Sequence, residues 1–74
     1  MVDLIPFFHR VRKILKERKI TTLQFECDTG IARRILYKTD HRPHKATLMA
    51  IAYYLKMDGE ELVKGTDVED IWHG

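Results

Sequence analysis

Apolar residues recur at helical spacing along most of this chain. No segment shows a comparably clear alternation of apolar and polar residues, which is the pattern typical of a half-buried strand. The spacing therefore predicts an all-α fold built from five helices. The clearest stripe occupies positions i, i+3, i+4 and i+7 of a helix that ends near Lys56: Leu48, Ile51, Ala52 and Leu55.

Two further helices are predicted at the ends of the chain. The first runs from about Leu4 to Arg18, with Pro6 in its first turn, where a missing N–H group is tolerated. The last is short, from Gly59 to Lys64, and Gly65 stops it. Beyond it, Thr66 and Glu69 repeat the spacing of a capping box, which predicts one or two more helical turns.

The stretch from Thr21 to Thr39 carries the most information about function. Thr21, with Gln24 three residues later, is a capping box that opens a helix over Thr22 to Thr29, and Gly30 ends that helix. A second helix follows from about Ala32 to Thr39. Two short helices joined by a glycine turn, the second of them basic, predict a DNA-binding helix-turn-helix.

Composition and charge are compatible with a small nucleic-acid-binding domain. The 74 residues are 45% hydrophobic and 32% charged, with a net charge of +2. Residues 1–45 carry eleven basic and five acidic side chains, whereas residues 46–74 carry two basic and six acidic ones. A basic front and an acidic rear would orient the molecule on a polyanion, although the charge can also segregate by chance on a solvated surface.

The sequence predicts one domain over residues 1–65 and a tail over residues 66–74. The single cysteine, Cys27, cannot form an internal disulfide, and we expect it to be a small core residue of the second helix. The first apolar run, from Leu4 to Phe8, is too short for a signal peptide or a membrane span. We therefore expect the chain to reside in the reducing cytoplasm.

From Ile20 to Val63 the sequence resembles the lambda-repressor/Cro-like helix-turn-helix family, also called the XRE family. Ile20-Thr21 matches its apolar residue and cap, Gly30-Ile31 its turn, and Leu36 the core position of its recognition helix. Glu26 departs from it, because the family prefers alanine there. Further along, the likeness continues through Pro43, Thr47-Leu48, Ile51-Ala52-Tyr53-Tyr54-Leu55 and Gly59-Glu60-Glu61-Leu62-Val63. The resemblance implies a compact five-helix domain, with the helix-turn-helix at its second and third helices, and a transcriptional regulator, most often a repressor.

The third predicted helix would read bases in the major groove. Arg33 and Arg34 are the main candidates, since an arginine can donate two hydrogen bonds to the O6 and N7 atoms of guanine. Ile35 and Leu36 should face inward. The residues expected to project toward the bases are Ala32, Arg33, Arg34, Tyr37 and Lys38. Those expected to hold phosphates flank them: Thr21, Thr22, His41, Arg42, His44 and Lys45.

A module of this size contacts one half-site, so we expect a symmetric homodimer. Val68, Ile71 and Trp72 are candidates for its interface, although Trp72 is equally compatible with covering its own core. The same acidic and apolar tail supports an alternative function, an antitoxin-like or adaptor module whose main partner is another protein.

Other kinds of site are not expected. His41 and His44 lie near Asp40, but the sequence has no second cluster to complete a metal site. It has no glycine-rich phosphate loop, and Cys27 has no partners for nucleophilic catalysis. We therefore expect no enzymatic activity, no metal and no cofactor.

Overall fold

The computed structural model describes residues 4–38 and 42–74, and these residues are mostly helical. Their only extended pairing is a single parallel bridge between Ile5 and Thr66. Within the same residues, no helix combines the length and the apolar character needed to cross a bilayer. The elements in chain order are α1 (Phe7–Glu17), α2 (Thr22–Thr29), a 3₁₀ helix (Arg33–Tyr37), α3 (Lys45–Leu55), α4 (Gly59–Val63) and α5 (Glu69–His73).

Helix α1 begins three residues later than the apolar spacing predicted. Pro6 is its N-cap, with φ −58° and ψ 129°, so the chain before Phe7 is not helical. Leu4, the predicted first residue of this helix, is outside it and is 58% exposed. The stripe that α1 does bury consists of Phe7, Phe8, Val11 and Leu15.

Helix α2 and the turn after it have the predicted bounds because short-range contacts fix both ends. The Thr21 hydroxyl accepts a hydrogen bond of 3.0 Å from the backbone N–H of Gln24. Gly30 adopts the left-handed conformation, with φ 76°, and its N–H donates to the carbonyl of Glu26 at 2.9 Å. A glycine meets this conformation without a Cβ penalty.

The third predicted helix is shorter than expected and is a 3₁₀ helix. Its characteristic bonds join Ile35 N–H to the Ala32 carbonyl at 3.0 Å and Lys38 N–H to the Ile35 carbonyl at 3.1 Å. Lys38 is extended, so the element ends at Tyr37, and the predicted end at Thr39 lies outside the described residues.

The core lies between α1, α2 and the 3₁₀ helix on one side and α3, α4 and residue Val68 on the other. Phe25 and Leu36 are fully buried at its centre. Cys27, predicted to be a core residue, is exposed. It lies two positions from Phe25, which is about 200° around the helix, and therefore faces outward. The predicted stripe of α3 is buried as expected: Leu48, Ile51, Ala52 and Leu55.

Residues 66–74 pack on this same core. Thr66 and Val68 are buried, and the predicted extra turns form α5. Trp72 lies directly over Gly59, so closely that a Cβ atom at Gly59 would overlap its indole ring. The segment predicted to be a tail, residues 66–74, is thus packed on the core formed by the preceding residues.

Candidate nucleic-acid interface

The 3₁₀ helix presents basic side chains to solvent while its apolar residues face the core. Leu36 is fully buried and Ile35 is half-buried against the core, as predicted. Ala32, just before the helix, is half-buried. The exposed residues of the predicted base-reading set are Arg33, Arg34, Tyr37 and Lys38.

A second row of basic residues on α1 extends this surface. The row follows the spacing i, i+3, i+4 and i+7, and its side chains line a shallow groove of about 310 Å³. No DNA contact was predicted for α1, because the helical spacing of its apolar residues was used only to identify the buried side of the helix. The polar residues show the same periodicity in the sequence: His9, Arg12, Lys13 and Lys16.

Arg12 and Tyr37 join the two rows. The guanidinium carbon of Arg12 lies 5.0 Å from the centroid of the Tyr37 ring, within the range of a cation–π contact. The Nε atom of Arg12 is buried and has no hydrogen-bond partner within residues 4–38 and 42–74. In a 3₁₀ helix, residues three apart eclipse, so Arg34 lies on the same side as Tyr37. The α1 row and the 3₁₀ helix therefore meet at the Arg12–Tyr37 contact.

Glu26 holds the start of the 3₁₀ helix. Its carboxylate accepts a hydrogen bond of 2.8 Å from the backbone N–H of Arg33. An acidic side chain at a helix N-terminus satisfies a free donor and interacts favourably with the helix dipole. The Arg33 N–H is therefore occupied within the chain, whereas the Arg33 side chain remains exposed.

The predicted phosphate contacts have different environments. Thr21 is exposed and caps α2, and Thr22 is half-buried. His44 and Lys45 are exposed at the start of α3, with the Lys45 ammonium 5.7 Å from the centroid of the Trp72 ring. His41 lies outside the described residues.

Arg42 is already bound to the C-terminal segment. Its guanidinium lies 2.8 Å from the Asp70 carboxylate and donates to the carbonyl of Asp67 at 3.4 Å. Both side chains of the ion pair are largely exposed. To contact a phosphate, Arg42 would have to exchange one anionic partner for another.

The residues proposed for a dimer interface are packed within the chain itself. Val68 is only 2% exposed, so it does not fit an interface role and the prediction is wrong for this residue. Ile71 and Trp72 are half-buried against the core. Of the two alternatives for Trp72, the structure has the one in which the ring covers its own core.

Comparison with known proteins found no matching family model, no similar curated protein and no similar solved structure.

Proposed function

We propose that this protein is a sequence-specific, double-stranded DNA-binding transcriptional regulator of the lambda-repressor-like helix-turn-helix type, acting as a repressor. The observation that carries the proposal is the Arg12–Tyr37 contact, which brings the basic row of α1 against the 3₁₀ helix that carries the exposed Arg33 and Arg34. Duplex DNA carries a dense and regular array of phosphates, and a surface of this kind neutralises several of them at once.

The length of the 3₁₀ helix sets how much of a major groove it could reach. A 3₁₀ helix rises about 2.0 Å per residue, so its five residues span about 10 Å, which is about three base pairs at about 3.4 Å each. Arg33 and Arg34 are exposed on this short element, where each can pair with the edge of a guanine. The α1 row is assigned to phosphates beside the groove, because lysine ammonium groups bind as point charges.

The order of elements also supports the proposal. A capped α2, a left-handed glycine and a second short helix with an inward leucine and outward arginines follow one another as in a helix-turn-helix. The shortness of the second helix limits direct readout to a few base pairs. A second copy on an adjacent half-site would supply the remaining specificity, and we include a homodimer in the proposal.

The first experiment measures affinity for random duplex DNA across a range of salt concentrations. Displacement of counterions predicts that the logarithm of the binding constant falls steeply with the logarithm of salt concentration. Lys13→Ala should weaken binding and reduce the slope by about one phosphate contact. Lys64→Ala removes the same charge from an exposed position in the acidic third of the chain and serves as the matched control. A flat salt response would contradict the proposal.

The second experiment tests specificity by selecting bound sequences from a random DNA pool. The wild type should enrich a two-fold symmetric site containing guanine. Arg33→Ala or Arg34→Ala should each lower discrimination at one base position by about 1–3 kcal/mol. If the double replacement leaves the selected sequence and affinity unchanged, base readout by these residues is ruled out.

An adaptor or antitoxin-like role is the competing function. Its supporting feature was an apolar and acidic tail available to a partner, but Val68 is buried, and Ile71 and Trp72 pack against the core of their own chain. The salt titration separates the two functions, because an adaptor would bind random duplex DNA weakly or not at all.

A further inference from the structure

Helix α3 is apolar on two faces, and only one of them is buried. Its outer face carries Met49, which is 54% exposed, and Tyr53, which is 88% exposed. The small residues Ala46 and Ala50 complete the same stripe at i, i+3, i+4 and i+7, and both are exposed. A helix that is apolar all round is normally covered on all sides, so the exposed stripe is a candidate contact surface.

A groove of about 490 Å³ lies beside Tyr53 on this face, and both Tyr53 and Tyr54 contribute to its lining. One wall is held in place, since the Tyr54 hydroxyl donates to the Asp28 carboxylate at 2.8 Å. The Tyr54 ring also packs edge-on against Phe25, with 5.6 Å between the centroids. The groove is therefore formed in the single chain, and its remaining lining residues are Thr29, Ala50 and Lys56.

The same face thus carries a projecting aromatic side chain, a groove, a carboxylate and an ammonium group. A two-fold symmetric interface brings one patch against an identical patch, so the patch must complement itself in shape and in charge. In shape, the projecting Tyr53 side chain of one copy complements the groove of the other. Asp28 and Lys56 are both exposed and have opposite charges. Each oxygen of Asp28 accepts one hydrogen bond within the chain, from Gln24 or Tyr54, and has a second lone pair with which to accept the ammonium group of the partner's Lys56.

We propose that a second copy of this chain docks on the α3 face, with Tyr53 of each copy inserted into the groove of the other and Asp28 paired with the partner's Lys56. This inference deepens the homodimer of the proposed function by assigning its interface to α3 instead of the C-terminal segment. Because self-association is measured without DNA, a monomeric protein that binds DNA and a dimeric protein that does not are distinguishable results.

The first test is sedimentation velocity of the full chain over a dilution series. The wild type should pass from monomer to dimer as concentration rises. Tyr53→Ser should raise the dimer dissociation constant roughly thirtyfold, as expected for loss of an aromatic hot spot, and Tyr53→Phe should restore most of the affinity. Tyr37→Ser, at an exposed tyrosine on the basic surface, is the control and should leave the dimer unchanged. A wild type that is monomeric throughout, or equal dimerisation by Tyr53→Ser, would overturn the inference.

The second test exchanges charges between copies. Asp28→Lys and Lys56→Glu should each weaken self-association, because each puts like charges opposite one another at both symmetry-related positions. An equimolar mixture of the two variants should form a heterodimer, since both pairs are then of opposite sign. Circular dichroism of each variant checks that the helices are retained, because Asp28 also bonds to Tyr54. A mixture that associates no better than either variant alone excludes the Asp28–Lys56 pairing.

Discussion

The Tyr54 hydroxyl and the Asp28 carboxylate join α3 to the last turn of α2 through a hydrogen bond of 2.8 Å. The other carboxylate oxygen accepts a bond of 2.8 Å from the side-chain amide of Gln24. One oxygen of this exposed carboxylate therefore ties α2 to α3, and the other is bonded within α2 itself. The ionised form of Asp28 is the form that accepts both bonds.

This arrangement predicts an acid-dependent loss of stability. The Gln24 hydrogen bond, and next the Tyr54 hydrogen bond, lower the pKa of Asp28 from its usual 3.8, with a smaller opposing effect of burial. Since the pKa is lower in the folded state, the stabilisation is present above pH 3.8 and is lost as the pH falls through the lowered value. Thermal unfolding across this acidic range should show a decline that Asp28→Asn reduces.

Glu60→Gln is the control for this pH dependence, because it removes an exposed carboxyl group of α4. Glu60→Gln should leave unchanged the acid-dependent loss of stability that is due to Asp28. An Asp28→Asn variant with the same pH profile as the wild type would show that the two hydrogen bonds do not distinguish the ionised from the neutral carboxyl group in solution.

Leu36 should contribute more to stability than any exposed leucine of the helix-turn-helix. It is fully buried, and Leu36→Ala should cost about 2–5 kcal/mol through lost apolar contact and the resulting cavity. Leu23 on α2 is 51% exposed, and Leu23→Ala should change stability by about 0.5 kcal/mol or less. Urea denaturation of the two variants and the wild type measures both values. Equal costs would mean that Leu36 is not in the core.

The parts of the fold that depend on near neighbours could be predicted from sequence. The Thr21 cap and the Gly30 turn involve residues at most four positions apart, and both ends of α2 were predicted correctly. The position of Cys27 was wrong, because the three apolar residues of α2, Leu23, Phe25 and Cys27, are two positions apart and do not determine which side of the helix faces the core. The 3₁₀ geometry was also not predicted, because over five residues the spacing of apolar positions does not distinguish a period of 3.0 from one of 3.6.

In the candidate site, too, contacts between residues far apart in the sequence could not be predicted. The exposure of Arg33 and Arg34 agrees with the sequence prediction. The Arg42–Asp70 pair joins residues 28 positions apart, and the sequence contains no sign of that proximity. The Arg12–Tyr37 contact likewise depends on how α1 packs against the 3₁₀ helix.

Gly59 and Trp72 should be energetically coupled. A Cβ atom on Gly59 overlaps the Cη2 and Cζ2 atoms of the Trp72 ring, so Gly59→Ala should destabilise the protein by about 1–3 kcal/mol. In a Trp72→Ala background the space is free, and the same change should be neutral or slightly stabilising, because alanine is favoured over glycine in a helix. Urea denaturation of the four proteins should give a coupling energy of about 0.5–3 kcal/mol. Additive effects would mean that the ring does not rest on Gly59.

The Arg42–Asp70 pair should oppose DNA binding if Arg42 contacts phosphate. Asp70→Asn would leave the guanidinium without its 2.8 Å anionic partner, so affinity for duplex DNA should rise about two- to fivefold, the range expected for one exposed ion pair. The gain should disappear in the double variant with Arg42→Ala, which lacks the cation that Asp70 holds. Glu60→Gln removes an equal charge from α4 and controls for net charge. Fluorescence anisotropy at fixed salt measures all four proteins, and an equal gain for Glu60→Gln would assign the effect to overall charge instead of to Arg42.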